Sequence, residues 1–194
     1  MEGKGRDKKI NLKKFQKPLD KSHRVCYNIG VKNRKELISM AKVKMVCFDM
    51  DGTIADLYGV NNWLDQLREF NPNPYRQARP MWDMNELNMV LEQLQVQGVE
   101  IRVISWLSME SNKEYDQEVR QAKIEWLQAQ GFNADHIHLV KYGTTKASCV
   151  RRYLAENEYA ILVDDNDQVR NGWSLGDTIN PTTENIIEIL KALL

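Results

Sequence analysis

A buried strand has no local reason to end in acids, yet two stretches of this chain do so. Lys44-Met45-Val46-Cys47-Phe48 is a largely apolar run that gives way to Asp49-Met50-Asp51-Gly52-Thr53. Tyr159-Ala160-Ile161-Leu162-Val163 gives way in the same manner to Asp164-Asp165-Asn166-Asp167. Carboxylates this close repel one another unless a cation lies between them. Gly52 permits a tight turn and offers its N–H to an anion. The pattern points to a cation-and-phosphate site at the carboxyl ends of strands, where open α/β sheets hold their ligands. The competing structural explanation is an acidic turn that only caps the next helix.

Between these runs the apolar spacing predicts alternating elements. Val60, Trp63, Leu64, Leu67 and Phe70 suit one face of a helix over 59–70, broken by Asn71-Pro72-Asn73-Pro74. An irregular segment over 76–82 precedes a helix over 85–97, stopped by Gly98. A second strand over 99–106 reaches Ser105, whose hydroxyl and following N–H can hold a phosphate oxygen without adding charge. A polar loop over 107–115 leads to a helix over 116–130. Val119, Ala122, Ile124, Trp126, Leu127 and Ala129 form its apolar side. His136 and His138 share one face of a third strand over 136–140. With no third ligand nearby, a structural or solvent-facing role outweighs a metal site.

Thr144 or Thr145 suits the cap of a helix over 147–157. Lys146 then falls in the first turn, where the helix dipole disfavours a cation, so a neighbouring anion is needed to explain it. Lys141 is the alternative lysine for such an anion. A short fifth strand over 176–180, a break at Pro181 and a last helix capped by Thr182 or Thr183 complete the chain. Leu190, Leu193 and Leu194 dock that helix. Strands alternating with helices predict an α/β fold, with a mainly parallel sheet and helices on both faces. Asp49, Asp51, Asp164 and Asp165 then gather on one edge with Ser105. Oxygen donors of this kind suit Mg²⁺.

A length of 194 residues and ordinary globular composition indicate one domain with an arm. The formal net charge of zero conceals an asymmetry: residues 1–40 hold 12 Lys/Arg against 4 Asp/Glu, and residues 41–194 hold 15 against 23. The first 40 residues read as a flexible basic arm, with an extended piece over 24–31 and a helix over 34–41 capped by Asn33. The arm has three readings. It binds nucleic acid or another acidic surface, it is a solvated or back-packed tail, or it precedes a start at Met40. A dispensable arm is favoured because interleaved aromatics are lacking. No apolar run suits a membrane span or signal peptide, and Cys26, Cys47 and Cys149 show no close pairing. A cytoplasmic protein is expected.

Asp-Met-Asp-Gly-Thr at 49–53, Ser105, Lys146 and Asp164-Asp165 follow one another in an order that resembles the four motifs of the haloacid dehalogenase (HAD) superfamily, over most of 43–181. The resemblance implies a Rossmann-like HAD fold with a small helical cap segment at about 59–84. It also implies a magnesium-dependent phosphatase. Asp49 is then the nucleophile that becomes an aspartyl-phosphate, and Asp51 the acid and base. Ser105, the Trp106 N–H and Lys146 form the phosphate cradle. The metal ligands are Asp49, the Asp51 carbonyl and Asp164, with Asp165 in the outer sphere. Within the superfamily the sequence looks most like the 5′(3′)-deoxyribonucleotidases, which share Asp-Met-Asp-Gly followed by Ala-Asp, here Ala55-Asp56. They also share a long helix with aromatics, here Tyr115 and Trp126. Thr53 stands where Val is expected.

Trp63, Tyr75, Trp82 and Trp106 are candidates for stacking a base, set against plain packing. A phosphatase on a small substrate such as a nucleoside monophosphate is the leading expectation. A phosphatase on nucleic-acid ends or another macromolecule, guided by the arm, is the second. A catalytically idle binding module is the third, and it would not need both Asp49 and Asp51.

Overall fold

The computed structural model describes residues 42–194. The readings of the arm and of Met40 lie outside those residues. The described chain begins with β1 (Lys42–Phe48), followed by a two-residue strand, β2 (Ala55–Asp56). Then come two short helices, α1 (Trp63–Arg68) and α2 (Asn73–Gln77), and the two-residue β3 (Arg79–Pro80). Next are α3 (Met84–Val96), β4 (Glu100–Trp106), α4 (Lys113–Ala129) and β5 (His136–Val140). The last part holds α5 (Lys146–Val150), a 3₁₀ turn over Arg151–Tyr153, β6 (Glu158–Val163), α6 (Asp167–Asn171), β7 (Thr178–Ile179) and α7 (Ile186–Lys191).

The main sheet runs β5-β4-β1-β6-β7, and every neighbouring pair is parallel. The chain builds outward from β1 through β4 to β5, then returns to the other side of β1 for β6 and β7. The order therefore reverses at β1, and the crevice outside its carboxyl end is the topological switch point. β1 is buried on both faces, as a central parallel strand must be. Val46 and Phe48 point into a core shared with Leu87, Leu91 and Leu94 of α3, Ile186 and Leu190 of α7, and Trp126 and Leu127 of α4. Met45 and Cys47 point the other way, to Ala147 and Val150 of α5 and to Trp173. Helices thus cover both faces, as expected. No helix among the described residues is long and apolar enough to cross a membrane.

The departures from expectation are local. The helix expected over 59–70 is confined to Trp63–Arg68, and of its expected apolar face only Leu67 is buried. Asn62 and Phe70 have positive φ at its two borders. The Pro-rich break is itself helical, because Pro74 sits at the start of α2, where a missing N–H costs nothing. The irregular segment contains β3, which pairs antiparallel with β2. Asn112, whose side chain accepts from the Tyr115 N–H, starts α4 three residues before the expected point. The helix after Thr145 is one turn long and tightens into 3₁₀ geometry. Asn166 caps an additional short helix, α6. Asn185, not Thr182 or Thr183, caps α7, and Leu194 is exposed.

Candidate active site

The turn after β1 is drawn tight by three N–H groups, of Thr53, Ile54 and Ala55, that donate to the Met50 carbonyl. Gly52 takes φ +73° there. A Cβ at that position would collide with the Tyr58 ring and lie 2.6 Å from Asp165 Oδ2, so this left-handed turn between the two acidic strand ends favours glycine. The Gly52 N–H donates to the Ala55 carbonyl at 2.8 Å, so it is not free for an anion as its place in the turn suggested. Thr53 is fully buried. Its Oγ accepts from the Asp165 N–H at 3.2 Å, and its carbonyl accepts from the Trp82 indole at 2.8 Å. This threonine ties the end of β1 to the end of β6. Trp82 thereby braces the turn, and it does not line the cavity described below.

Three of the four acids at the two strand ends, Asp49, Asp51 and Asp164, contact two lysines. Lys146 Nζ lies 2.7 Å from Asp164 Oδ2 and 2.8 Å from Asp49 Oδ1. The first contact has hydrogen-bond geometry, whereas Asp49 Oδ1 is buried without a hydrogen-bond partner. Lys141 is exposed, so Lys146 is the lysine that meets the acids. Asp164 Oδ1 accepts from the Asn166 N–H at 2.9 Å, and the Asp164 carbonyl accepts from Arg170. Lys123, fully buried on α4, donates to Asp51 Oδ2 and, at 2.9 Å, to Ser105 Oγ. Its Nζ also lies 4.6 Å from the centre of the Tyr75 ring.

Charge balance decides what this cluster can bind. Burial and the neighbouring acids push Asp164 and Asp165 up to about 6. Burial raises Asp51 as well, against the pull of Lys123. Burial by itself would lower Lys146, but Asp49 and Asp164 outweigh it and hold the ammonium above its usual range. Four carboxylates against two ammonium groups leave two negative charges when all are ionised. Carboxylate oxygens of Asp49, Asp164 and Asp165 lie within 4.8 Å of one another. This donor set could hold a metal ion, and hard oxygen ligands suit a divalent cation. Among the described residues no comparable cluster includes His136 or His138. His138 lies beside the Arg102 guanidinium, and burial with that charge lowers its pKa.

A cavity of about 250 Å³ is lined by Asp49, Asp51 and Asp165. Tyr58, Trp63, Leu67 and Tyr75 of the β1–α3 segment form one wall, and Trp106, Leu107 and Tyr142 contribute from the other strand ends. Trp106 is held by its indole N–H on the Thr144 carbonyl at 2.8 Å and packs 4.9 Å from Tyr142. Ser105 and Lys146 are buried and do not line this cavity. Strand order read from the sequence puts Asp49, Asp51, Asp164, Asp165 and Ser105 on one sheet edge, and the family resemblance adds Trp106 and Lys146 to the site. Sequence reasoning missed Lys123, Tyr58 and Tyr142. For Lys123 a signal was present, since position 123 lies four residues from both Val119 and Leu127 on the buried stripe of α4.

No protein-family model matches the chain, and no curated protein matches it.

Proposed function

We propose that this chain is a Mg²⁺-dependent phosphomonoester hydrolase of the HAD type, acting through an aspartyl-phosphate on Asp49. The observation that carries the reading is the meeting of Asp49 and Asp51 with Asp164, Asp165 and Lys146 at the switch point, beside an aromatic-walled cavity. An Asp49 carboxylate oxygen attacks phosphorus in line, and the bond from phosphorus to the leaving oxygen breaks. Asp51 gives its proton to that oxygen and then takes one from the water that hydrolyses the acyl-phosphate. Ser105, the Trp106 N–H and Lys146 hold the phosphoryl oxygens. Asp49, the Asp51 carbonyl and Asp164 would hold Mg²⁺, with Asp165 in the outer sphere, and the ion would supply positive charge that offsets the anions. The α1–α2 segment serves as a small cap.

The cavity favours a small substrate over a nucleic-acid end. Trp63 and Trp106 offer flat apolar surface to a base, which suits a nucleoside monophosphate. The test is phosphate release from ribo- and deoxynucleoside monophosphates, sugar phosphates and end-phosphorylated oligonucleotides, with Mg²⁺ and with chelator. Selective, Mg²⁺-dependent turnover of nucleoside monophosphates is expected. Asp49→Asn is expected to lower it by about 10³-fold or more. Turnover confined to oligonucleotide ends would instead favour the basic arm as a clamp. No turnover of any ester would leave a binding module.

A further inference from the structure

Lys123 is the largest charged side chain buried without exposure in the described chain, and the reaction scheme above gives it no part. A lysine can only donate, so each of its contacts assigns a role to the acceptor. Asp51 Oδ2 and Ser105 Oγ accept from Nζ, and the Tyr75 ring lies against it. Asp51 Oδ1 is buried, with no hydrogen-bond partner. The two oxygens of Asp51, a residue that lines the cavity, are therefore unequal: one accepts from the ammonium, and the other, though buried, has no partner. Ser105 likewise accepts from Lys123, which leaves its own proton to point elsewhere.

We infer that Lys123, braced by Ser105 and Tyr75, is a positioning residue that holds Asp51 Oδ2 and so presents Asp51 Oδ1 for proton transfer. This rests on the hydrolase reading. Lys123 is fully buried and does not line the cavity. It acts by fixing which carboxylate oxygen carries the proton to the leaving group, and from what direction. A residue with that duty matters most when the leaving oxygen is a poor leaving group, such as a sugar alkoxide. It matters little when the oxygen leaves without help, as nitrophenolate does.

The experiment compares wild type, Lys123→Met, Asp51→Asn and the double variant, all as full chains with Mg²⁺. Two substrates are used, an alkyl phosphomonoester turned over by wild type and p-nitrophenyl phosphate. Single-turnover release of the alcohol or of nitrophenolate isolates the first step. Lys123→Met is expected to slow release of the alkyl alcohol about 100-fold and of nitrophenolate less than tenfold. In the Asp51→Asn background the same substitution is expected to change alcohol release less than threefold, since both changes remove one device. Equal losses on both substrates, or full losses in both backgrounds, would overturn the positioning role and leave Lys123 a structural residue. If Lys123→Met does not fold, Tyr75→Leu serves in its place. Loss of the brace should then give the same imbalance between substrates at about tenfold, and an even loss would overturn the role. A wild type that turns over neither substrate would sink the hydrolase reading itself. An active wild type with an indifferent Lys123→Met would sink only the inference.

Discussion

At the scale of single residues, the site depends on what is missing at position 52. Gly52 has a left-handed backbone and no room for a methyl group between Tyr58 and Asp165. Gly52→Ala should therefore lower stability by about 1–2 kcal/mol from backbone strain alone. It should also push Asp165 away from Asp49 and reduce turnover at least tenfold. Urea unfolding and turnover measured together check this, and a variant with the wild-type midpoint and rate would show that the turn can relax. Glycine at this place was readable in the sequence as a tight turn. Its real task was not, because it depends on a side chain from a strand far along the chain. Thr53 carries the same lesson. Its neighbours in sequence say nothing of Asp165, yet its hydroxyl accepts the Asp165 N–H.

At the scale of elements, boundaries follow side-chain caps more closely than apolar spacing. α3 begins where Asp83 accepts from the N–H groups of Asn85 and Glu86, at 2.9 and 3.1 Å. Asp83→Ala should cost about 1 kcal/mol in chemical denaturation and leave turnover per folded molecule unchanged. An unchanged midpoint would mean that this cap contributes nothing measurable. The strands and the long helices were legible because burial on a regular period leaves a pattern. The wall of the cavity was not. α1 and α2 are too short to show a period, and their residues are ordered by contacts with α4, such as the 2.8 Å pair of Arg76 with Glu125. Lys123 was overlooked for a related reason. Apolar residues mark a buried stripe, and a lysine on that stripe reads as an exception until its partner across the core is seen.

At the scale of the whole molecule, the acids make stability depend on pH, and a metal bound as proposed would couple to that dependence. In metal-free protein Asp164 and Asp165 titrate at about 6, against about 4 for an unfolded chain. Between those values the folded state binds more protons than the unfolded state. This contribution is therefore favourable at low pH and is lost as pH rises through the window. Melting with chelator should show the site acids less destabilising at pH 5 than at pH 7.5. Mg²⁺ should raise the melting temperature more at pH 7.5 than at pH 5, because it binds the ionised carboxylates. An equal rise at both values would place the metal elsewhere.

The strand order carries a further consequence for how the protein comes into being. Asp49 and Asp51 are synthesised long before Asp164 and Asp165, and the return of β6 to the far side of β1 is a non-local pairing that cannot precede its own synthesis. A nascent chain that has completed only β1, β4 and β5 possesses Asp49 and Asp51 but lacks the other half of the acidic cluster, which on the proposed function is needed for turnover. Catalytic competence should then appear abruptly with the docking of β6. The onset of turnover during refolding would report when β6 docks against β1.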